Sequence, residues 1–330
     1  MKPALFLALM LGAGPVLTQS GFAETYRLAL PDHNGQLQWS VRGFTIIENS
    51  AKPNGREIGL RGRDASGRLT FLGFLFVAPE NAPVTAAACR DGVLAQEKKA
   101  NATLKIGKIS ELPQSSGSPV ILVSYTAANA DGSLAYRVRG FIGAEDLCAD
   151  LEFYSHDPIH EDDADLKEAF ASFHLDSGYA PRFGDLALYA QILLQQHDYG
   201  AAAPLFEKAL TVVPSDGAPF SSAQLARRVV RDQAGMSYGI SGDLAKARRI
   251  FNEGTLLDPD YAMNYYNLAC ADAGEKKLAE ARIHLRQAFD RIVNVNPGEA
   301  LPDPTQDGSF LPFKDNQEFW TFLKDLEARR

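Results

Sequence analysis

Apolar and polar positions follow two different periods along the chain. In the first half, apolar residues gather in short runs, such as Leu69–Val77, and in alternations, which together predict β-strands. In the second half they recur every three to four positions, the period of an amphipathic helix. The period changes across 176–184, where Gly, Pro and Ser predict a linker. We therefore expect one domain at residues 24–180 and a second at residues 181–330.

The first domain is predicted to combine antiparallel strands with two helices. Asn129–Ser133 is predicted to form a hairpin turn between two of the strands, because Asp-Gly between apolar alternations favours a tight turn. The predicted strands are Val41–Ile47, Leu69–Val77, Val120–Tyr125, Leu134–Ile142 and Cys148–Tyr154, and the predicted helices are Val84–Lys99 and Asp163–Phe173. These elements predict an α+β sandwich. The hairpins, the helix around Cys89 and the closing helix at 165–174 resemble the PsbP-like sandwich.

Three stretches of the second half carry the same spaced residues. They align on Ala202, Ala247 and Ala281, and 34 residues separate the last two of these alanines. The first two are 45 residues apart, so that 11 additional residues lie between those units, around Ser215–Gln224. A period of 34 residues is typical of the tetratricopeptide repeat, a helix pair that stacks on its neighbours in the chain.

The second unit resembles the tetratricopeptide family through the residues Gly235, Tyr238, Gly242, Ala247, Phe251, Gly254 and Pro259. Small residues let the two helices approach closely, and we expect Gly235 to face Ala247 while Phe251 fills the space beside them. Pro259 is expected to end the second helix, because proline lacks an amide hydrogen. The resemblance implies an all-α solenoid of three helix pairs, and the aromatic-rich tail predicts a capping helix at Asp315–Leu326.

Several short runs also resemble a set of exported bacterial tetratricopeptide proteins. These runs are 239–243, 258–261, 265–270 and the tail segment from Pro297 to Phe310. The likeness supports the repeat architecture and an exported location, and it brings no enzymatic activity with it.

The first residues of the chain predict an export signal. Lys2 supplies a positive start, residues 4–17 are almost wholly apolar, and small residues precede an expected cleavage near Ala23. Residues 1–23 are therefore assigned to a signal peptide, and the mature protein is expected in a periplasm or outside the cell. No later segment has the length of a membrane span, so that none is predicted.

The cysteines and the charge balance narrow the picture further. Cys89 and Cys148 lie in the same half, and in an oxidising compartment they are predicted to form a disulfide; the alternative is two small buried apolar residues. Cys270 is expected in the helical core or lining a groove. The chain has 33 Lys and Arg against 41 Asp and Glu, a formal charge of −8, and we therefore expect no nucleic-acid partner.

Catalytic and metal-binding patterns are sparse in this sequence. The densest group, His156–Asp163, has Pro158 between its two histidines, which favours a solvated acidic loop over a helical zinc site. Asp303–Gly308 faintly resembles a calcium loop, but Lys314 stands where a bidentate Glu is needed, and a turn is predicted instead. We find no Gly-x-Ser-x-Gly elbow and no phosphate loop, and we expect no cofactor. The alternative function is a hydrolase or metal-dependent enzyme with its site in the N-terminal domain.

The inner surface of the repeat array is the predicted binding site. The register of the second and third units places seven residues on or near it: Arg228, Arg231, Asp232, Met236, Tyr266, Asn267 and Cys270. Asn267 is suited to hydrogen-bond a peptide backbone. Arg231 either meets a partner's carboxylate or only lies over the neighbouring unit. The predicted function is protein–protein interaction, as an exported adaptor or scaffold of the cell envelope.

Overall fold

A computed structural model describes residues 23–80, 84–114, 119–129, 131–212 and 222–328. The predicted signal segment, apart from Ala23, and most of the predicted insertion between the first two repeat units lie outside these residues. The chain divides into two compact units, with the boundary between Asp185 and Leu186. The predicted linker begins inside the first unit, where the Gly35 amide donates to the Tyr179 carbonyl (2.7 Å).

The N-terminal unit is built on antiparallel β-structure. Its strands are β1 (Glu24–Ala29), β2 (Gln36–Val41), β3 (Phe44–Ala51), β4 (Glu57–Asp64), β5 (Leu69–Val77), β6 (Lys105–Leu112), β7 (Val120–Ala128), β8 (Leu134–Ala144), β9 (Leu147–Ser155) and β10 (His174–Asp176). Within the described residues they form a seven-stranded sheet in the order β3-β4-β5-β9-β8-β7-β6 and a three-stranded sheet in the order β1-β2-β10.

The two sheets bury a common aromatic core. Trp39 of β2 is fully buried and meets Phe71 of β5 edge to face, with 5.6 Å between the ring centroids. The approach depends on Gly73, because a Cβ at that position would lie 2.5 Å from the Trp39 ring. Alternation along β5 therefore sends Phe71 and Leu75 into the core, as period-two patterning requires.

Two helices complete this unit. Helix α1 (Ala86–Ala100) starts at Thr85, whose hydroxyl accepts a hydrogen bond from the Ala88 amide (3.1 Å). A disulfide between Cys89 and Cys148 joins α1 to β9, with 5.6 Å between the Cα atoms. Helix α2 (Ala164–Ser172) buries Leu166 and Phe170, and Phe170 packs edge to face on Phe153.

Most predicted strands are found, and one is divided. The run Leu69–Val77 is β5 with the predicted ends, and the Asn129–Ser133 turn joins β7 to β8 through an amide-to-carbonyl bond of 2.8 Å. The single predicted strand Val41–Ile47 is wrong, because Gly43 takes a positive φ of 71° and turns the chain between β2 and β3. Strands β1, β4, β6 and β10 were not predicted from the sequence, nor was β2 apart from Val41.

The C-terminal unit is helical. Its helices are α3 (Phe183–Gln195), which begins just before the boundary, α4 (Tyr199–Thr211), α5 (Ala223–Ile240), α6 (Leu244–Leu257), α7 (Ala262–Gly274), α8 (Leu278–Phe289) and α9 (Gln317–Glu327), with a 3-10 helix at Gly308–Phe313. From α4 to α8 each helix packs on the next along the chain. Within the described ranges, no helix combines the length and the apolarity that a membrane crossing needs.

One turn recurs three times between these helices. Its central residue has a positive φ, and the following amide donates to the carbonyl five residues earlier, as at many helix C-termini. The three turns centre on His197 (φ 63°), Gly242 (φ 95°) and Lys276 (φ 61°). The bonds are Asp198 to Leu193 (2.9 Å), Asp243 to Tyr238 (2.9 Å) and Lys277 to Asp272 (2.8 Å). The turns therefore repeat at the same spacings as the three aligned alanines.

The seam between α5 and α6 differs from the expected pairing of small residues. The expectation that Gly235 faces Ala247 is wrong: a Cβ on Gly235 would enter the ring of Phe251. Ala247 lies one helical turn further along, where its Cβ is 3.8 Å from the Cβ position of Gly239. Gly235 thus makes room for an aromatic ring, and Gly239 is the partner of the alanine.

Candidate functional site

Helices α5 and α7 place the predicted binding residues on neighbouring surfaces. The Asn267 amide donates to the Asp232 carboxylate and links the two helices directly. Arg228 is already engaged, since its guanidinium holds both oxygens of Asp258 (2.5 and 3.0 Å) and lies 4.5 Å from the Tyr261 ring centroid. This bidentate pairing fixes the start of α5 against the end of α6.

Asp232 is an acidic side chain in a partly buried position. Burial raises the pKa of Asp232 to about 7, and the negative charge of Glu299 adds to that increase. The Asn267 amide opposes the shift, because its hydrogen bond stabilises the charged form of Asp232. The carboxyl group therefore titrates near neutral pH.

Arg231 and Met236 occupy different surroundings on α5. Arg231 is buried, 8% exposed, and packs where Gly254 of α6 leaves room for its side chain. Its Nε has no hydrogen-bond partner in the part of the chain that the structure describes. Burial lowers the pKa of Arg231 from its ordinary value. Met236, one turn beyond Asp232, is partly exposed. Met236 is therefore the more accessible of these two residues.

The remaining predicted residues, on α7, contact the chain's own tail. The Tyr266 hydroxyl donates to the Asp307 carboxylate (2.9 Å), and the Cys270 sulfur lies 3.9 Å from the same oxygen. The pKa of the Cys270 thiol is raised well above its ordinary value, first by burial and then by the Asp307 charge. At the start of the helix, the Tyr261 hydroxyl donates to Glu299 (3.0 Å).

Apolar side chains hold the same tail segment. Leu301 and Phe310 are each at most 1% exposed and belong to one core cluster with Tyr266. The Phe310 and Tyr266 rings meet edge to face, 6.1 Å apart at their centroids. Glu299, Leu301 and Asp307 were not predicted from the sequence as neighbours of α7. The sequence feature that pointed to these residues was the presence of Glu299 and Asp307 in a segment rich in proline and glycine. The segment has no helical or strand periodicity that would have placed it against α7.

The N-terminal unit contains a buried ionic cluster where α1 covers β8 and β9. Arg139 donates to Asp150 (2.9 Å) and to Glu152 (3.0 Å), and the Tyr125 hydroxyl donates to Glu152 (2.6 Å). Glu97 of α1 accepts from the same arginine (3.3 Å). Burial raises the pKa of Asp150 to about 6, and Arg139 opposes the shift. These side chains bond one another and tie the helix to the sheet.

The two candidate metal patterns of the sequence have local partners. His156 Nδ1 lies 3.4 Å from the Asn129 amide, and the backbone amide of His160 donates to Asp163 (2.9 Å). Asp303 accepts from the Thr305 amide (2.8 Å), as in a turn. Across the described residues, no group of three or more His, Cys, Asp or Glu side chains is arranged to hold a metal ion.

Solved structures similar to this chain include tetratricopeptide proteins. The tetratricopeptide domain of Sgt2 from Aspergillus fumigatus aligns at 15% identity and a TM-score of 0.30, over 45% of this chain and 85% of that one. SycD, a Yersinia enterocolitica type III secretion chaperone solved with a peptide of the translocator YopD, aligns at 17% and 0.30, over 44% and 92%. The first tetratricopeptide domain of Spaghetti (RPAP3), bound to an HSP90 peptide, aligns at 14% and 0.30, over 43% and 94%. No protein-family model and no curated protein matches the chain.

Proposed function

We propose that this protein is an exported adaptor that binds an extended segment of another protein on the inner surface formed by α5 and α7. The observation that carries the proposal is the recurrence of one left-handed turn at His197, Gly242 and Lys276, with the same hydrogen bond at each. A repeated turn stacks successive helix pairs in one register, and such arrays expose a continuous surface to partners.

In this proposal α3–α8 are three tetratricopeptide helix pairs, and α9 caps the last of them. Support for the cap comes from its apolar stripe, in which Phe319, Phe322, Leu323 and Leu326 are buried in the cluster that also holds Leu285 of α8. A stacked array needs such a terminal helix, because its last pair otherwise exposes an apolar side to water.

Two sequence features support export to the cell envelope. Residues 4–17 are apolar behind Lys2, and Cys89 and Cys148 form a disulfide, a bond that persists in oxidising compartments. The test is fractionation of cells that produce the full chain, followed by mass measurement of the purified protein. Export predicts an envelope fraction and an N-terminus near Glu24; a cytoplasmic protein that retains Met1–Ala23 contradicts it.

Partner capture tests the adaptor function. The mature protein, immobilised, is exposed to envelope extract beside two matched variants. Met236→Arg places a bulky charge on the inner surface, whereas Ile283→Arg places the same charge at a position on α8 that is 52% exposed. We expect the Met236 variant to bind a specific partner about tenfold or more weakly, as substitutions at interface centres do. The Ile283 variant should bind the same partner as strongly as the wild type. Equal capture by both variants contradicts the proposed surface.

A further inference from the structure

The segment Asn296–Phe310 lies against α7, one of the two helices to which the proposed function assigns the partner. Between Asn296 and the 3-10 helix, this segment contains neither helix nor strand. Two of its three carboxylates accept hydrogen bonds from tyrosine hydroxyls, Glu299 from Tyr261 at the N-cap of α7 and Asp307 from Tyr266 within that helix. Side-chain recognition of an irregular segment by a helical surface is the interaction that a foreign peptide makes with such a surface.

The segment also makes apolar contacts of the kind that a bound peptide makes. Leu301 within the segment and Phe310 at its end are buried, Leu301 at 1% and Phe310 at 0% exposure. Well-packed and fully desolvated side chains carry most of the binding energy of many interfaces. The segment therefore has two carboxylate contacts and two apolar anchors on one helical surface.

The segment also carries one repulsive interaction. The negative charge of Glu299 adds to the raised pKa of Asp232 on α5 and so disfavours the ionised form of that carboxyl group. This repulsion stands beside the hydrogen bonds and apolar anchors of the segment.

We propose that Asn296–Phe310 is a tethered ligand of the α5–α7 surface, and that the partner is an extended peptide with carboxylate and aromatic side chains that displaces it. The inference rests on the proposed function, because it names the chemistry of the partner and the regulation of the same surface. A tethered segment competes at an effective concentration of about 1 mM for a short connection, so the closed state resists a weak partner.

A labelled synthetic peptide of residues 296–313 is the probe for this competition. Its affinity is measured by fluorescence anisotropy for four full-length mature proteins: the wild type, Leu301→Ala, Asp307→Asn and Asp315→Asn. Leu301→Ala removes an apolar anchor. Asp307→Asn removes a carboxylate while keeping an oxygen that caps the 3-10 helix at Ser309. Asp315→Asn is the matched control, since Asp315 is exposed outside the segment.

The expected result is that the two loosened variants bind the peptide at least about tenfold more tightly than the wild type and the Asp315 variant. A second peptide, with Gln and Asn in place of Glu299 and Asp307, should bind the loosened variants less tightly, because it lacks both carboxylates. Binding of the two peptides with equal affinity overturns the assigned partner chemistry.

Cys270 gives an independent readout of the tethered segment. It is the free thiol of the chain, since the other two cysteines are bridged, and it lies beneath Asp307. Alkylation of Cys270 should be several-fold faster in Leu301→Ala than in the wild type, and the peptide should restore the slow rate. Asp307→Asn is excluded from this measurement, because removing its charge alters the thiol pKa directly.

The two proposals fail in different ways. If folded Leu301→Ala and Asp307→Asn proteins bind the peptide no better than the wild type, the segment is a permanent part of the core and the tethered-ligand inference is wrong. If they bind the peptide but the Met236→Arg variant captures partners as the wild type does, the segment is a displaceable ligand and the proposed partner surface is wrong. Circular dichroism establishes which variants are folded before either conclusion is drawn.

Discussion

The contacts that stabilise the two units of this protein differ in sequence separation. In the helical unit the decisive hydrogen bonds join residues five apart, as at Asp243 and Tyr238, and the same turn is made three times. In the β-rich unit the decisive contacts join distant residues, such as Cys89 with Cys148 and Trp39 with Phe71. A repeat array tolerates local change because each element depends on its neighbours, whereas a sandwich depends on contacts of long sequence separation.

The chain's two tryptophans allow the units to be followed separately. Trp39 is fully buried in the β-rich unit, and Trp320 lies on α9 of the helical unit. A Trp320→Phe background therefore reports the first unit by fluorescence, and a Trp39→Phe background reports the second. With these two backgrounds, the stability of each unit is measured in the full chain.

The largest effect is expected at the buried ionic cluster of the β-rich unit. Arg139→Met leaves Asp150 buried without its cation and leaves Glu152 paired with Arg137 alone, and removing one partner of a buried ion pair typically costs about 3–5 kcal/mol. We expect the Trp39 transition to move to much lower denaturant while the Trp320 transition stays in place. Arg42→Met is the control, because the Arg42–Glu168 pair is exposed, at 55% and 41% of the two side chains. Similar unfolding of both variants contradicts a special role for the cluster.

The second prediction concerns the disulfide between Cys89 and Cys148. The bridge closes a loop of 59 residues, and its loss is expected to cost about 2–5 kcal/mol. Replacing both cysteines with Ala should lower the stability of the β-rich unit alone. Cys270→Ala is the matched control in the other unit. A double variant that unfolds at the wild-type denaturant concentration shows that α1 is held by packing without the covalent link.

A matched pair of glycines in one helix sharpens the assignment of the repeat register. In α5, Gly235→Ala places a Cβ inside the Phe251 ring, and overpacking of that kind costs about 1–3 kcal/mol. Gly239→Ala meets only the Ala247 Cβ, at ordinary contact distance, and should stabilise the helix by about 0.5–1 kcal/mol. Opposite shifts of the Trp320 transition are expected. Shifts in one direction for both variants contradict the seam between α5 and α6.

The same contrast explains what the sequence revealed of the fold. The helical unit was predictable because each of the aligned alanines follows its left-handed turn at the same short distance along the chain. Strand β4 was not, because Gly59 and Gly62 favour a turn in isolation and only the distant rings of Phe74 and Phe71 explain why glycine occupies both positions. Strand β6 was missed because it is an edge strand whose residues are mostly exposed, and exposed strands lose the apolar alternation.

The candidate site shows the same limit. Periodicity placed Asp232 and Asn267 on facing helices, and the structure joins them by a hydrogen bond. The same reasoning gave no account of Glu299 and Asp307, because these acids lie in a segment without regular structure and more than 30 residues from the tyrosines that hold them. Contacts from irregular segments have no period in the sequence, and they decide which parts of a predicted surface are free.

The smallest expected effect is a pH dependence confined to the helical unit. The pKa of Asp232 is raised from 3.8 to about 7, so the folded state binds its proton more tightly than the unfolded state does. The stabilisation is therefore complete below about pH 4 and is lost as the pH rises through about 7. Burial also raises the pKa of Glu299, and this shift changes stability in the same direction.

We expect the free energy of unfolding reported by Trp320 to fall by about 1 kcal/mol between pH 5 and pH 8, since Asp232 is partly exposed and solvent screens part of the effect. Asp232→Asn should reduce this slope, and the double variant with Glu299→Gln should nearly abolish it. Denaturant titrations of the three proteins across that range provide the measurement. Asp290→Asn, at an exposed position on the C-cap of α8, is the control and should keep the wild-type slope. If Asp232→Asn keeps the wild-type change of unfolding free energy with pH, a group other than Asp232 causes the pH dependence.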